Sequence, residues 1–273
     1  MAAHLAAARV MPTNKTAVYL YCVVRSARRP SLAGASSGVP SGTAPAAHKV
    51  TGNLWMIVAD VPLDVYGPAS LESRLRDLDW VAAVAIAHEA IVERFTRARG
   101  SVVVPAKLFT MFSTMDKALA DVTGRRAEIQ RVMKRIEGCE EWGIRITRHA
   151  VVPAAGADAR AASGAAFLLA RKAVRDAVVT ARTQASAAAE TAFVALARLS
   201  RDATQRERRS EPGTNPPVLE AAFLVAVTGR ATFKAEALRQ TKACAAAGAD
   251  LALTGPWPAY NFIGHPASSD VAS

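Results

Sequence analysis

No helix can run through Gly255-Pro256-Trp257-Pro258. The two prolines fix φ on either side of the tryptophan and remove two backbone donors, and each biases the residue before it towards extended geometry. Gly255 frees the backbone where the segment begins. Asp250-Leu251-Ala252-Leu253 leads in with strand character, and Ala259-Tyr260-Asn261-Phe262-Ile263 follows with two more large rings. The chain therefore ends in a stiff, extended segment presenting Trp257, Tyr260 and Phe262. Aromatics make up only 6% of the sequence, so this concentration needs a use. Two are open: the rings plug one end of a core, or they dock a partner chain.

The order of elements before this segment limits the fold further. From Gly138, a run with half-exposed strand alternation (140–151) leads to a long helical stretch (164–209), with Phe167, Val174, Val178, Ala181, Ala185, Ala189, Ala192, Leu196 and Leu199 on one stripe. Glu211-Pro212-Gly213 breaks it. A strand (218–227), a helix (232–247) and the last strand follow, giving β-α-β-α-β. The economical solution is one antiparallel sheet with helices on one face, in a split β-α-β arrangement.

The first half reads as a separate α+β layer structure. Ala17-Val18-Tyr19-Leu20-Tyr21-Cys22-Val23-Val24 has the chemistry of a buried strand. Residues 26–48 turn to Pro, Gly, Ser and Ala, a composition that predicts a mobile loop burying nothing. Strand chemistry returns over 50–60. Asp79 is placed to cap a helix carrying Val81, Val84, His88, Ile91 and Phe95. Ser101-Val102-Val103-Val104-Pro105 is a strand, and Ser113 with Asp116 predicts a capping box opening one helix that carries Met115, Leu119, Val122, Ile129, Val132 and Ile136 on one side and ends at Gly138.

Few residues are arranged for chemistry. Gly34-Ala35-Ser36-Ser37-Gly38 matches a nucleophile elbow in letters, but the flanks supply neither the strand nor the helix that an elbow requires. His88-Glu89 starts a zincin-like pattern whose second histidine position is Val92, so His88 reads as a core histidine. Adjacent Glu140 and Glu141 point to opposite faces of a strand and cannot act as an acid/base pair. No catalytic residue, metal site or cofactor site is assigned. Three widely spaced cysteines form no disulfide framework and suit a reducing cytoplasm. No apolar run approaches the ~20 residues of a membrane helix.

A net charge of +11 favours an acidic partner. Arg171, Arg175 and Arg182, off the apolar stripe of the long helix, are candidates to meet it. Nucleic acid is the alternative partner for such a charge. It is disfavoured because the arginine cluster beyond Arg201 lacks interleaved rings.

Leu253-Thr254-Gly255-Pro256-Trp257-Pro258-Ala259-Tyr260-Asn261-Phe262 closely resembles the C-terminal signature of the gas vesicle protein family GvpL/GvpF. Val18-Tyr19-Leu20-Tyr21, His88-Glu89, the 104–112 segment with its proline, Gly138-Cys139-Glu140-Glu141-Trp142-Gly143 and Ala222-Phe223-Leu224-Val225 resemble further family segments. In the 104–112 segment, Lys107-Leu108-Phe109 stands where many members carry Arg-Phe-Gly. The resemblance implies a two-domain α+β fold with mixed or antiparallel sheets and packed helices, the C-terminal domain a modified ferredoxin-like one. The expected division is an extension (1–16), an N-terminal domain (17–137, with the 26–48 loop), a C-terminal domain (138–263) and a tail (264–273). It further implies a non-enzymatic, cytoplasmic accessory protein of gas vesicle assembly, associated with the vesicle. Its expected partners are the hydrophobic major shell subunit and other gas vesicle accessory proteins. Trp257, Tyr260 and Phe262 are then the candidate anchors for the shell subunit.

Overall fold

The computed structural model describes residues 16–98, 100–149, 164–207 and 217–264. Apart from Thr16 and Gly264, the expected terminal extension and tail lie outside them, as do the turn after Pro153 and the breaker at Glu211 to Pro216. The chain divides into two compact units, 1–137 and 138–273.

In the first unit, β1 (Thr16–Arg25), β2 (Ala46–Thr51) and β3 (Leu54–Pro62) are followed by helices α1 (Leu63–Tyr66), α2 (Pro68–Arg74) and α3 (Leu78–Thr96). Strands β4 (Val102–Pro105) and β5 (Met111–Phe112) and helices α4 (Met115–Gly124) and α5 (Arg126–Ile136) complete it. The sheet runs β2-β3-β1-β4, with β5 also on β1, and every pairing is antiparallel. Antiparallel strands usually alternate, but β1 is a continuous apolar run because both of its faces are covered. Tyr19, Tyr21, Cys22 and Val24 pack with Val84, Ile91 and Phe95 of α3. Val18, Leu20 and Val23 face Ala118, Val122, Ile129 and Met133 of α4 and α5. The register against β3 slips between Leu20 and Cys22. Tyr21 is the extra residue, and this bulge sends Tyr21 and Cys22 to the same face.

Three local expectations are corrected here. Asp77, not Asp79, caps α3, accepting from the Trp80 N–H at 3.1 Å. Thr114 rather than Ser113 caps α4, and the expected single helix breaks between Gly124 and Arg126. The 26–48 stretch does bury a side chain: Val39 is 2% exposed within the α3-side core. It is held there because the Tyr21 hydroxyl accepts from the Val39 N–H at 2.9 Å and the Tyr66 hydroxyl donates to the Pro40 carbonyl at 2.7 Å.

The second unit contains β6 (Cys139–Arg148), α6 (Gly164–Ala197), β7 (Asp202–Gln205), β8 (Pro217–Ala226), α7 (Arg230–Ala246) and β9 (Ala249–Trp257). Its sheet is antiparallel in the order β7-β8-β6-β9. Each helical crossover skips one strand position, which is the split β-α-β pattern. Trp142, Ile144, Ile146, Leu219, Phe223 and Val225 point to the helix-covered face. Ala185, Ala189, Ala192 and Leu196 of α6 and Phe233, Ala237 and Cys244 of α7 close over them. The alanines let the α6 backbone approach the sheet closely. The expected helix to Arg209 instead stops at Ala197, and Asp202–Gln205 leaves as a strand because the edge of β8 is open to pair with it.

Candidate functional site

β9 is an edge strand whose only described neighbour is β6. Its register against β6 shifts between Glu141 and Gly143, where three steps along β9 match two along β6. The extra length is taken up at Gly255-Pro256, joined by a cis peptide bond. Gly255 has φ +125°, and a Cβ there would stand 2.9 Å from the Glu141 carbonyl oxygen and 3.2 Å from the Trp142 ring. No other residue fits this approach without moving backbone.

Beyond the strand, Tyr260–Phe262 forms one 3₁₀ turn. Glu141 holds it. One carboxylate oxygen of Glu141 accepts from the Asn261 N–H at 2.8 Å, and the other accepts from the Asn261 side-chain amide at 2.5 Å. Glu140 serves the opposite face, as strand alternation requires. It accepts from Trp142 Nε1 at 2.8 Å and from two nitrogens of Arg230 at 2.6 and 2.5 Å. Both carboxylates are buried, at 7% and 5% exposure, and both are satisfied by charge-assisted bonds. They are structural clamps, one for the start of α7 and one for the terminal motif. Neither partner could be read from local spacing.

The turn separates the three rings. Phe262 is 1% exposed, Tyr260 is half-buried and Trp257 is 43% exposed. Phe262 is therefore packed inside the turn, while the Trp257 ring is exposed. Arg171, Arg175 and Arg182 are exposed on the first half of α6.

In the first unit, His88 is a core histidine. Its Nδ1 lies 2.9 Å from the Tyr19 hydroxyl, and burial pushes its pKa down to about 4, opposed by a bond to the Ala106 backbone. With the proton placed on Nε2, Tyr19 donates to Nδ1 while accepting from the Phe109 N–H at 3.4 Å. The pair ties the 105–110 loop to β1 and α3. Burial also raises the Tyr19 hydroxyl above its ordinary range and pushes Tyr21 up to about 12. Among the described residues, no group of three or more His, Cys, Asp or Glu is placed to hold a metal ion. A surface depression of about 400 Å³ near Arg29 and Ser31 brings no acid/base pair together. Among the described residues, no helix is long and apolar enough to cross a membrane.

The family model described as gas vesicle synthesis protein GvpL/GvpF matches residues 17–264. The chain is 30% identical over 228 residues to gas vesicle protein L of Streptomyces sp. (strain CB03234), covering 78% of this chain and 81% of that protein. The crystal structure of the gas vesicle protein GvpF from Anabaena sp. PCC7120 aligns with a TM-score of 0.60 at 12% identity, covering 91% of this chain and 96% of the other. GvpF from Microcystis aeruginosa aligns with a TM-score of 0.59 at 13% identity, covering 91% and 99%. At such identities the structures show a shared fold.

Proposed function

Since the chain belongs to the gas vesicle synthesis protein GvpL/GvpF family, its role lies in gas vesicle assembly, and we propose that within that role it binds the hydrophobic major shell subunit as a non-catalytic, chaperone-like accessory protein. One observation carries this reading: Trp257, 43% exposed, stands at the end of an edge strand that has a free side among the described residues. A subunit that assembles by strand pairing exposes apolar β surface beforehand, which invites aggregation. The backbone groups along the free side of β9 pair with such a strand, and the Trp257 ring, with half-buried Tyr260 beside it, supplies side-chain specificity. Pro256 and Pro258 lack the N–H that would extend pairing, so the added strand stops where the rings begin. Glu141 keeps that boundary fixed. Arg171, Arg175 and Arg182 add attraction for acidic partners among the other accessory proteins. The site of action is the growing vesicle in the cytoplasm.

The test is co-expression with the major shell subunit of the same source, followed by pull-down at low and high salt. Soluble shell subunit recovered at both salts, and lost with Trp257→Ala, is the expected result. Recovery that ignores Trp257→Ala removes the ring as an anchor. No recovery, with nucleic acid copurifying, overturns the reading in favour of a nucleic-acid-binding module.

A further inference from the structure

α6 is longer than the packing that holds it. Its buried positions Ala185, Ala189, Ala192 and Leu196 all lie in the second half. Residues 165–184 contribute no buried side chain, a length of about 30 Å at the helical rise. Within that half, Leu168, Leu169 and Val179 are 67%, 68% and 58% exposed. Aliphatic side chains of this size, grouped on an exposed stretch of helix, mark an interaction surface.

The charges on this half are ordered around the same surface. Leu168 and Val179 are separated by about three turns and share a side of the helix. Arg171, Arg175 and Arg182, spaced by four and seven residues, form a row along one edge of that side. The Arg171 guanidinium lies 5.7 Å from the Phe167 ring centre, which holds the start of the row against the helix. Lys172 adds a fourth cation. Against the four cations stands one carboxylate, Asp176, 3.9 Å from Arg175.

We propose that the first half of α6 docks an amphipathic helix of a partner protein. The apolar seam of that helix lies over Leu168 and Val179, and an acidic flank faces Arg171, Arg175 and Arg182. A helix, unlike a strand, has made its own backbone bonds, so it offers a partner only side chains at turn spacing, and a second helix matches that spacing. Asp176 argues against a lipid surface. It follows Leu169 by seven residues and precedes Val179 by three, so inserting these apolar residues into a bilayer would carry a carboxylate in with them. Nucleic acid is disfavoured because this half of the helix carries a single ring, Phe167, which is half-buried and already paired with Arg171, whereas strand binding uses successive open rings. This strip is separate from the β9 edge, and it stands whether or not that edge takes a shell strand.

The probe is a synthetic helical peptide with leucine every three or four residues and glutamate on both flanks, titrated against the full chain by fluorescence anisotropy. Its lysine-flanked twin, vesicles of phosphatidylserine with phosphatidylcholine, and duplex DNA are the comparisons. The acidic peptide is expected to bind at least about tenfold more tightly than its twin, since the flank charges reverse. Arg171→Ala/Arg175→Ala/Arg182→Ala is expected to weaken it about tenfold, and Leu168→Ser/Val179→Ser by a similar factor. All five positions are exposed, so circular dichroism of the variants should match the parent. Trp257→Ala should leave peptide affinity unchanged, and failure of the parent chain to recover shell subunit while it still binds the peptide counts against the β9 reading alone. Equal affinity for the two peptides, insensitivity to either multiple variant, or tighter binding to vesicles or DNA overturns the proposal.

Discussion

The Glu141 carboxylate takes both the backbone N–H and the side-chain amide of Asn261, a residue 120 positions later in the chain. The two bonds leave the carboxylate, 5% exposed, with a donor on each oxygen. They convert a glycine- and proline-rich terminus into a fixed turn. Without them, Trp257 would be presented on a loose end, and any affinity it gives would be reduced by the cost of ordering that end.

Removing the clamp has a measurable cost. Glu141→Ala deletes two charge-assisted bonds and is expected to lower unfolding stability by about 2–3 kcal/mol in chemical denaturation. Glu141→Gln keeps an acceptor for the Asn261 N–H but sets one amide N–H₂ against another, so about half that loss is expected. Equal stability of Glu141→Ala and the parent would show that the turn is held by packing alone.

Gly255→Ala tests the close approach. The added Cβ meets a backbone oxygen at 2.9 Å, and φ is +125°, a region where side chains are strained. Backbone cannot give way as a flexible side chain would. A loss of about 2–3 kcal/mol is expected, read as a lower denaturation midpoint. A neutral Gly255→Ala would mean that the β6–β9 bulge readjusts freely.

How much of this was legible in the sequence differs from residue to residue. The extended form of Gly255-Pro256-Trp257-Pro258 follows from local sterics, and the opposite facing of Glu140 and Glu141 follows from strand alternation. Their partners do not, because Arg230 and Asn261 lie 90 and 120 residues away. Asp202-Ala203-Thr204-Gln205 has weak strand chemistry and becomes β7 only because β8 offers it an edge. Val39 sits in a stretch of loop composition and is buried by two tyrosine hydroxyls from distant elements. The three rings of the terminal motif look equivalent by composition. Only the 3₁₀ turn after Pro258 decides that Phe262 is buried and Trp257 is exposed.

His88 sets an acid limit. Its folded pKa is about 4 against an ordinary value of 6.5. Between these values the unfolded chain binds the proton and the folded chain does not, so folding is favoured less as pH falls. The stability is fully present above about pH 6.5 and is lost progressively down to about pH 4, by about 3 kcal/mol in all. His88→Gln keeps a polar group beside the Tyr19 hydroxyl without titrating. Its denaturation midpoint should vary less between pH 6.5 and 4 than that of the parent. Parallel pH profiles for the two proteins would place the acid sensitivity elsewhere.

Trp257→Ala and Phe262→Ala separate docking from packing within one motif. Phe262 is 1% exposed, so truncation leaves a cavity and is expected to cost about 3–5 kcal/mol. Trp257 is 43% exposed, and its removal should change thermal stability by only about 2 °C, within the range of ordinary surface substitutions. Binding should show the reverse order. At a temperature where both variants are folded, Trp257→Ala should lose most recovery of soluble shell subunit while Phe262→Ala retains it. This follows because a partner at the β9 edge reaches Trp257, which the turn leaves outside, and not Phe262, which it buries. If Phe262→Ala were the variant that lost binding while folded, the packing of the turn rather than the exposed ring would govern recognition, and the augmentation register along β9 would have to end before Gly255.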